Sequence, residues 1–417
     1  MQNKANILGW LAIFLNAGAQ LLLAPIVKSK LGASGLGVWH LIFQTFVFLQ
    51  LIDFGWSNGI VREIASVRYD AAGQPPHNLL KTTQRLLSAT GVVFAIAGIG
   101  AALLVPQFID IPSTFKHEFT IALLIFSGWG VARYHYALPL LALRGQNRLV
   151  AYNGLEIVQG AGRPVLGALM VLSNLGIVGL AAGYAMAEAA CRWIALRLSR
   201  IDFTGGLFDR AIFYRTLKFG GATGTISLSA LISFYSSAFI VGWKLGVTQV
   251  AVYQCSIALP LLLMRLSIIP FTNRLPLLIT SLHRKHNPSQ MTAAIHLHLL
   301  VLAVSTGLLT GIVMLNELFV RLWIGAELFA GMHFTLVFCL FVFMSIARHA
   351  GFMVLQAKDR LKFFTLIHLL EAPLALLLSI MLIDSMGLTG VAVSLVVAAL
   401  PSTIFSQFAF LRDKKFP

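Results

Sequence analysis

Five arginines stand inside long apolar runs: Arg133, Arg163, Arg192, Arg265 and Arg348. The acids in comparable positions are Asp53, Glu156, Glu188 and Glu371. An ionisable side chain at the middle of a bilayer costs roughly 2.5–3.5 kcal/mol on insertion scales, so such residues face a partner or a watery cavity. The residue type is informative. A guanidinium stays protonated, is lightly hydrated and forks onto phosphate oxygens in a bidentate manner. A surplus of intramembrane arginine suits an anionic ligand, phosphate above all, whereas a cation exporter would favour surplus acid.

The spacing separates these residues by role. Glu188 and Arg192 are four apart, which favours an intrahelical pair. Arg265 lies near one end of its run, where it either snorkels to the interface or serves a site. Arg348 is harder to explain by snorkelling. Arg133 and Arg163 are near the centres of their runs, where the alternatives are an anion site and an interhelical salt bridge. Glu156 lies seven residues before Arg163, two turns away on the same face. Asp53, in Leu51-Ile52-Asp53-Phe54-Gly55, is either a counter-ion or proton site or a helix-end hydrogen-bonding group. The expected diphosphate contacts are therefore Arg133, Arg163, Arg265 and Arg348, with Asp53 and Glu156 as possible coupling or counter-ion groups.

Other chemistry is weakly supported. Cys191, Cys255 and Cys339 lie in apolar runs with no paired spacing, which argues against a disulfide framework or a zinc site. His296 and His298 face different ways on a helix and make a poor metal pair. Trp129, Tyr134, Tyr136, Tyr184, Tyr235 and Trp243 suit either stacking on sugar rings or packing. No Gly-Lys dipeptide occurs, so there is no P-loop; HExxH and Asp-x-Asp are also absent. No cofactor or metal is expected.

The elements that hold these residues follow from composition. The 417 residues are 58% hydrophobic and 11% charged, with a mean hydropathy of +0.83. Soluble domains are about a quarter charged, which excludes a soluble enzyme, a nucleic-acid-binding domain and a disordered chain. Runs of ~20 apolar residues cross a bilayer as helices. Twelve are expected: 6–27, 36–60, 86–108, 119–143, 151–172, 177–196, 217–243, 248–270, 291–315, 332–355, 363–383 and 388–411. The first reads as a retained anchor. With the N-terminus in the cytoplasm, 21 of the 31 Lys and Arg residues fall in cytoplasmic segments and five in outer ones. This asymmetry predicts both termini on the cytoplasmic side and makes the net charge of +16 a report of topology. No nucleic-acid partner is expected.

The chain also repeats itself. Residues 30–39 resemble 244–253, 143–149 resemble 355–361, and 176–181 resemble 387–392. The offsets, 214, 212 and 211, agree, and the matches fall at equivalent junctions. Two six-helix lobes, residues 1–205 and 206–417, are expected, related by an axis along the membrane normal as parallel repeats are. Two such lobes would enclose a central cleft that opens to alternate sides.

The segments Leu31-Gly32-Ala33-Ser34-Gly35-Leu36-Gly37-Val38-Trp39 and Leu51-Ile52-Asp53-Phe54-Gly55-Trp56-Ser57-Asn58-Gly59 with Arg62, together with Leu322-Trp323-Ile324-Gly325, resemble those of Wzx-type polysaccharide flippases. These belong to the multidrug/oligosaccharidyl-lipid/polysaccharide exporter superfamily. The resemblance implies an all-α integral membrane protein with two V-shaped six-helix lobes, MATE-like, working by alternating access. It implies transfer of an undecaprenyl-diphosphate-linked oligosaccharide, an O-antigen or exopolysaccharide repeat unit, from the cytoplasmic to the periplasmic leaflet of a bacterial inner membrane. Partners would be that polyprenyl-diphosphate-linked oligosaccharide, the lipid bilayer and polysaccharide polymerase and chain-length machinery. The alternatives are a proton- or sodium-coupled multidrug exporter and an integral membrane glycosyltransferase or polymerase.

Overall fold

A computed structural model describes residues 2–67, 75–202, 205–284, 288–357 and 361–412. Arg68, Lys285, Lys358, Arg360, Lys414 and Lys415, counted above as cytoplasmic, lie outside the described residues. Among the described residues the regular structure is helical. The helices are α1 (Gln2–Leu49), α2 (Trp56–Ser66), α3 (His77–Phe108), α4 (Ser113–His135), α5 (Leu138–Gly145), α6 (Leu149–Leu172), α7 (Gly176–Ser199), α8 (Arg210–Leu245), α9 (Val247–Arg284), α10 (Pro288–Trp323), α11 (Met332–Ala357), α12 (Leu361–Met386) and α13 (Leu388–Arg412).

The twelve expected spans map onto these helices. Among the described residues, eight stretches are long and apolar enough to cross a membrane by length and composition, the first being Leu8–Asp53. Its 46 residues would reach about 70 Å as one helix, twice the ~30 Å hydrocarbon core. The backbone breaks at Gly32, with φ 73° and ψ 178°, so α1 supplies two spans. The helices α4 and α7 fall outside that apolar set, and they carry Arg133, Glu188 and Arg192.

Two spans are broken: the second, which no residue type in the sequence marked, and the fourth, where Pro139 interrupts the apolar run. The second turns at Phe54 (φ 44°) and Gly55 (φ 79°), which separate a 3-10 turn at Gln50–Asp53 from α2. A methyl group on Gly55 would sit 2.7 Å from the Gly220 carbonyl oxygen, and one on Gly220 2.9 Å from Trp56 Cα. The broken span thus packs backbone to backbone on α8, and no side chain fits at that crossing. The fourth span breaks between α4 and α5. Pro139 lacks an N–H and its ring excludes the carbonyl four residues earlier, which is that of His135. That carbonyl accepts a hydrogen bond from Gln84 Nε2 at 2.5 Å instead.

Two compact units emerge: Met1–Leu228 with Gly246–Thr248, and Ser229–Leu245 with Gln249–Pro417. In the first, α7 packs on α4 and α6, and α6 on α1. Leu140, Leu143, Leu155, Cys191 and Ala195 form a buried cluster there. In the second, α13 packs on α11 and α12, and Phe271, Ala350, Met353, Val354 and Phe410 cluster.

Contacts inside the units recur at the offset read from the sequence. Trp39 lies 6.3 Å from Phe126 between ring centroids, and Tyr253 lies 6.4 Å from Phe338. Cys191 Sγ lies 3.7 Å from Gln159 Oε1, and Ser402 at the matching place bonds Glu371. Lys30 reaches Asn174 Oδ1 at 3.2 Å, while Lys244 reaches Asp384 Oδ2 at 2.8 Å. Each lysine reaches the end of a neighbouring helix pair, Lys30 at the α6–α7 turn and Lys244 in the last turn of α12.

Candidate functional site

The intramembrane charges of the first unit meet where α4, α6 and α7 pack together. Glu188 of α7 is the centre, with its side chain 2% exposed. Its Oε1 accepts from Gln159 Nε2 at 3.1 Å, pairs with Arg133 Nη1 at 3.3 Å and also pairs with Arg163 Nη2. Its Oε2 accepts from the Trp129 indole N–H at 2.7 Å. Each helix brings two polar residues one turn apart: Trp129 and Arg133 from α4, Gln159 and Arg163 from α6, Glu188 and Arg192 from α7.

Arg133 is held from three directions. Besides Glu188, its Nη2 donates to Gln50 Oε1 at 3.0 Å, and its guanidinium lies 5.0 Å from the Phe46 ring centroid. Cation–π contact of this kind adds roughly 0.5–2 kcal/mol. The side chains of Arg133 and Arg163 are 13% and 19% exposed, while Arg133 Nη1 and Arg163 Nε are buried. Arg192, by contrast, is 7% exposed. The expected Glu188–Arg192 pair is not formed: among the described residues no ion pair within 4.0 Å joins them. Both Glu188 oxygens are taken by other elements, and the Arg192 Nε has no hydrogen-bond partner. Two guanidiniums, those of Arg133 and Arg163, therefore share one carboxylate, and Arg192 is buried beside them.

The other candidate residues are distributed as follows. Asp53 Oδ1 accepts the Ser57 backbone N–H at 3.2 Å, a helix-end contact at the start of α2. Glu156, half-buried on α6, makes no ion pair within 4.0 Å among the described residues; its two-turn partner Arg163 is drawn to Glu188 instead. In the second unit, Arg348 Nη1 contacts both oxygens of Glu371, at 2.7 and 2.8 Å, and Ser402 Oγ at 2.9 Å. His368 Nδ1 also lies 2.7 Å from Glu371 Oε2. That group is locally balanced, one guanidinium to one carboxylate. Arg265 of α9 is exposed. The aromatic candidates divide too: Trp129 serves Glu188, while Tyr184 packs at 5.0 Å on Trp39 and bonds Gln20 at 3.1 Å.

Glu188 and Arg192 are the residues that sequence reasoning set aside. Their i, i+4 spacing offered a complete local explanation. The available signal was the company of Trp129 and Gln159, two polar side chains in mid-span that also require a buried acceptor.

Residues 6–278 match the family described as polysaccharide biosynthesis protein. The chain belongs to that family. No curated protein sequence matches it. Its fold is shared with solved transporters of the MOP superfamily. An inward-facing multidrug resistance MATE family transporter aligns with a TM-score of 0.79 at 14% identity, covering 98% of this chain and 99% of that one. Lipid II flippase MurJ, in an inward closed conformation, aligns with a TM-score of 0.77 at 14% identity, covering 99% and 88%. A MOP superfamily transporter from Pyrococcus furiosus, described by the reverse polarity of its binding pocket, gives 0.64 at 13% identity, covering 99% and 96%. For this family member the fold is therefore the all-α, twelve-span membrane architecture of those proteins.

Proposed function

We propose that the protein is a flippase for a lipid-linked oligosaccharide joined to its polyprenyl carrier through a diphosphate. The observation that carries this reading is the α4–α6–α7 junction, where Arg133, Arg163 and Arg192 gather around Glu188, the one carboxylate that forms an ion pair with any of them among the described residues. A bundle interior with that surplus repels cations and attracts an anion. Membership of the polysaccharide biosynthesis family and the fold shared with a lipid II flippase support a cargo of lipid-linked sugar.

Arg133 and Arg163 contact the diphosphate; both side chains are partly exposed, and Glu188 holds both guanidiniums in place. Arg265 supplies a further contact in the second unit. Arg348 is bound to Glu371, so it joins only if that pair opens. The polyprenyl tail stays in lipid throughout, and the binding residues are exposed to the two leaflets in turn. The cargo is an undecaprenyl-diphosphate-linked O-antigen or exopolysaccharide unit, moved from the cytoplasmic to the periplasmic leaflet of a bacterial inner membrane. It is delivered there to a polymerase and chain-length machinery.

The test is translocation of a fluorescent polyprenyl-diphosphate-linked disaccharide in proteoliposomes. Arg133→Ala and Arg163→Ala are expected to insert normally and to lose most of the activity. Full activity in both would remove the assignment. Transport of cationic drugs, with no movement of the lipid, would support the multidrug exporter instead.

A further inference from the structure

The α3 helix carries one exposed stripe along most of its length. Arg85, Ala89, Val92, Ile96, Ile99 and Leu103 are all exposed and follow one another at three or four residues, so they share a face. The stripe is cationic at one end and apolar beyond it. Lys81 stands one turn before Arg85, and among the described residues neither cation forms an ion pair within 4.0 Å. Arg85 instead has the Phe208 ring centroid 5.9 Å from its guanidinium. With about 3.6 residues per turn, Asn78 and Thr82 fall on one side of the Lys81–Arg85 line, and Gln84 and Ser88 on the other. The first pair pins the segment that joins the two halves of the chain. Asn78 Oδ1 accepts the Leu207 N–H and Thr82 Oγ1 the Asp209 N–H, both at 2.8 Å, and Gly206 lies against the His77 backbone with no room for a side chain. The pinned corner leaves Leu207 77% exposed, with Phe208 also exposed. The second pair holds the break between α4 and α5: Gln84 bonds the His135 carbonyl, and Ser88 Oγ lies 3.0 Å from His135 Nδ1. Tyr136, exposed, stacks edge-on against His135. Among the acids around this corner, Asp209 accepts the Ala211 and Ile212 N–H groups, Glu63 pairs with Arg215, and Asp202 is exposed before the turn.

We propose that this face of α3 binds an anionic glycerophospholipid of the surrounding leaflet, with its phosphate on Lys81 and Arg85 and an acyl chain along Val92 and Ile96. The stripe has the order of such a lipid, charge first and hydrocarbon after. A guanidinium forks onto phosphate oxygens, and basic pockets at the ends of membrane helices take anionic headgroups. Phe208 and Tyr136 flank the point where charge gives way to hydrocarbon, and tyrosine is a residue enriched at that depth. From Arg85 to Ile96 the helix rises about 16 Å, half of the ~30 Å hydrocarbon core and the reach of one acyl chain. The site is separate from the arginine junction. Arg133 and His135 are two residues apart on α4 and face different ways, the first toward Glu188 and the second toward α3. A lipid seated here covers the corner that Asn78 and Thr82 pin, and so holds the connecting segment against α3.

The experiment counts lipids retained by the full chain in native mass spectrometry. The probes are phosphatidylglycerol and phosphatidylcholine with the same acyl chains. The unaltered protein is expected to hold one phosphatidylglycerol about tenfold more tightly than phosphatidylcholine, a difference of about 1.4 kcal/mol. Lys81→Gln with Arg85→Gln is expected to lose that preference, while Arg85→Lys, which keeps the charge, retains most of it. The charge-matched control, Arg197→Gln with Arg200→Gln at the end of α7, should keep it in full. An undiminished preference in the α3 variant, or an equal loss in the control, overturns the proposal. Hydrogen exchange on the unaltered protein gives a second reading that needs no variant. The Leu207 and Asp209 amides should exchange several-fold more slowly in phosphatidylglycerol nanodiscs than in phosphatidylcholine ones, and equal rates overturn the proposal. Competition separates the sources of phosphate. Retention of the lipid in hundredfold excess inorganic phosphate supports a lipid site, and release assigns the cations to a soluble anion. Release by equimolar farnesyl diphosphate assigns the face to an isoprenoid ligand and also overturns the proposal. None of these readings depends on flipping, so the inference and the flippase reading stand or fall separately.

Discussion

Glu188 and Arg192 stand one turn apart on α7 and do not pair. An i, i+4 pair on a helix contributes only about 0.2–0.5 kcal/mol. Glu188 instead joins α7 to α4 and α6 through Arg133, Arg163, Gln159 and Trp129. Partners from other helices are desolvated by the packing that brings them together, and their attraction to the carboxylate is correspondingly stronger. Arg192 is left buried with no ion pair within 4.0 Å among the described residues.

That arrangement predicts opposite signs for two neighbouring substitutions. Glu188→Gln removes the shared counter-charge of two buried guanidiniums and should cost about 3–5 kcal/mol. Arg192→Met removes an unpaired buried charge and should be neutral or stabilising. Thermal unfolding in detergent, followed by tryptophan fluorescence, reads both. A destabilised Arg192→Met would show that Arg192 has a structural partner.

Arg348 and Glu371 in the second unit should behave as a matched pair. Breaking it from one side, by Arg348→Leu, strands Glu371 and should cost about 3–5 kcal/mol, whereas replacing both residues by leucine should be close to neutral. The double-variant cycle in the same unfolding assay yields the coupling. Flipping retained in the double variant would confirm that Arg348 serves the bundle rather than the cargo.

The crossing of the broken second span over α8 leaves no room for a Cβ. Gly55→Ala meets the Gly220 carbonyl at 2.7 Å and requires a positive φ, so it should cost at least about 1–3 kcal/mol and lower the yield of folded protein. Gly224, whose added methyl would strike the Phe54 carbonyl, should behave alike. Gly18→Ala, with open space around it, is the control and should be silent. Size-exclusion profiles of the three variants decide this.

Lys244 and Asp384 form an ion pair at 2.8 Å, with Asp384 mostly exposed. Solvent screening limits such a pair, so Asp384→Asn should shift stability by no more than about 1 kcal/mol. A change in translocation larger than that in stability would show that this contact takes part in the transport cycle.

The sequence alone determined the membrane class, the twelve spans and the internal repeat. Each depends on a property summed along the chain: run length, hydropathy and regular offset. It also placed Arg133 and Arg163 at mid-span, because distance from the nearest interface can be counted in residues. It gave no sign of the break in the second span, and of that in the fourth it marked the interruption at Pro139 alone. The first depends on backbone contact between Gly55 and Gly220, 165 positions apart; at the second, Pro139 gave a local signal, but the relief of the freed His135 carbonyl came from Gln84 on another helix.

The tertiary structure decided which charges cancel. Arg348 and Arg133 look alike as sequence, yet one faces a carboxylate of its own and the other shares Glu188 with Arg163. The pairing of Glu188 is settled by helix packing, which brings α4 and α6 against α7. Spacing along a chain reports which groups share a helix face. Net charge at a buried point depends on every helix that reaches it, and that sum exists only once the helices are packed.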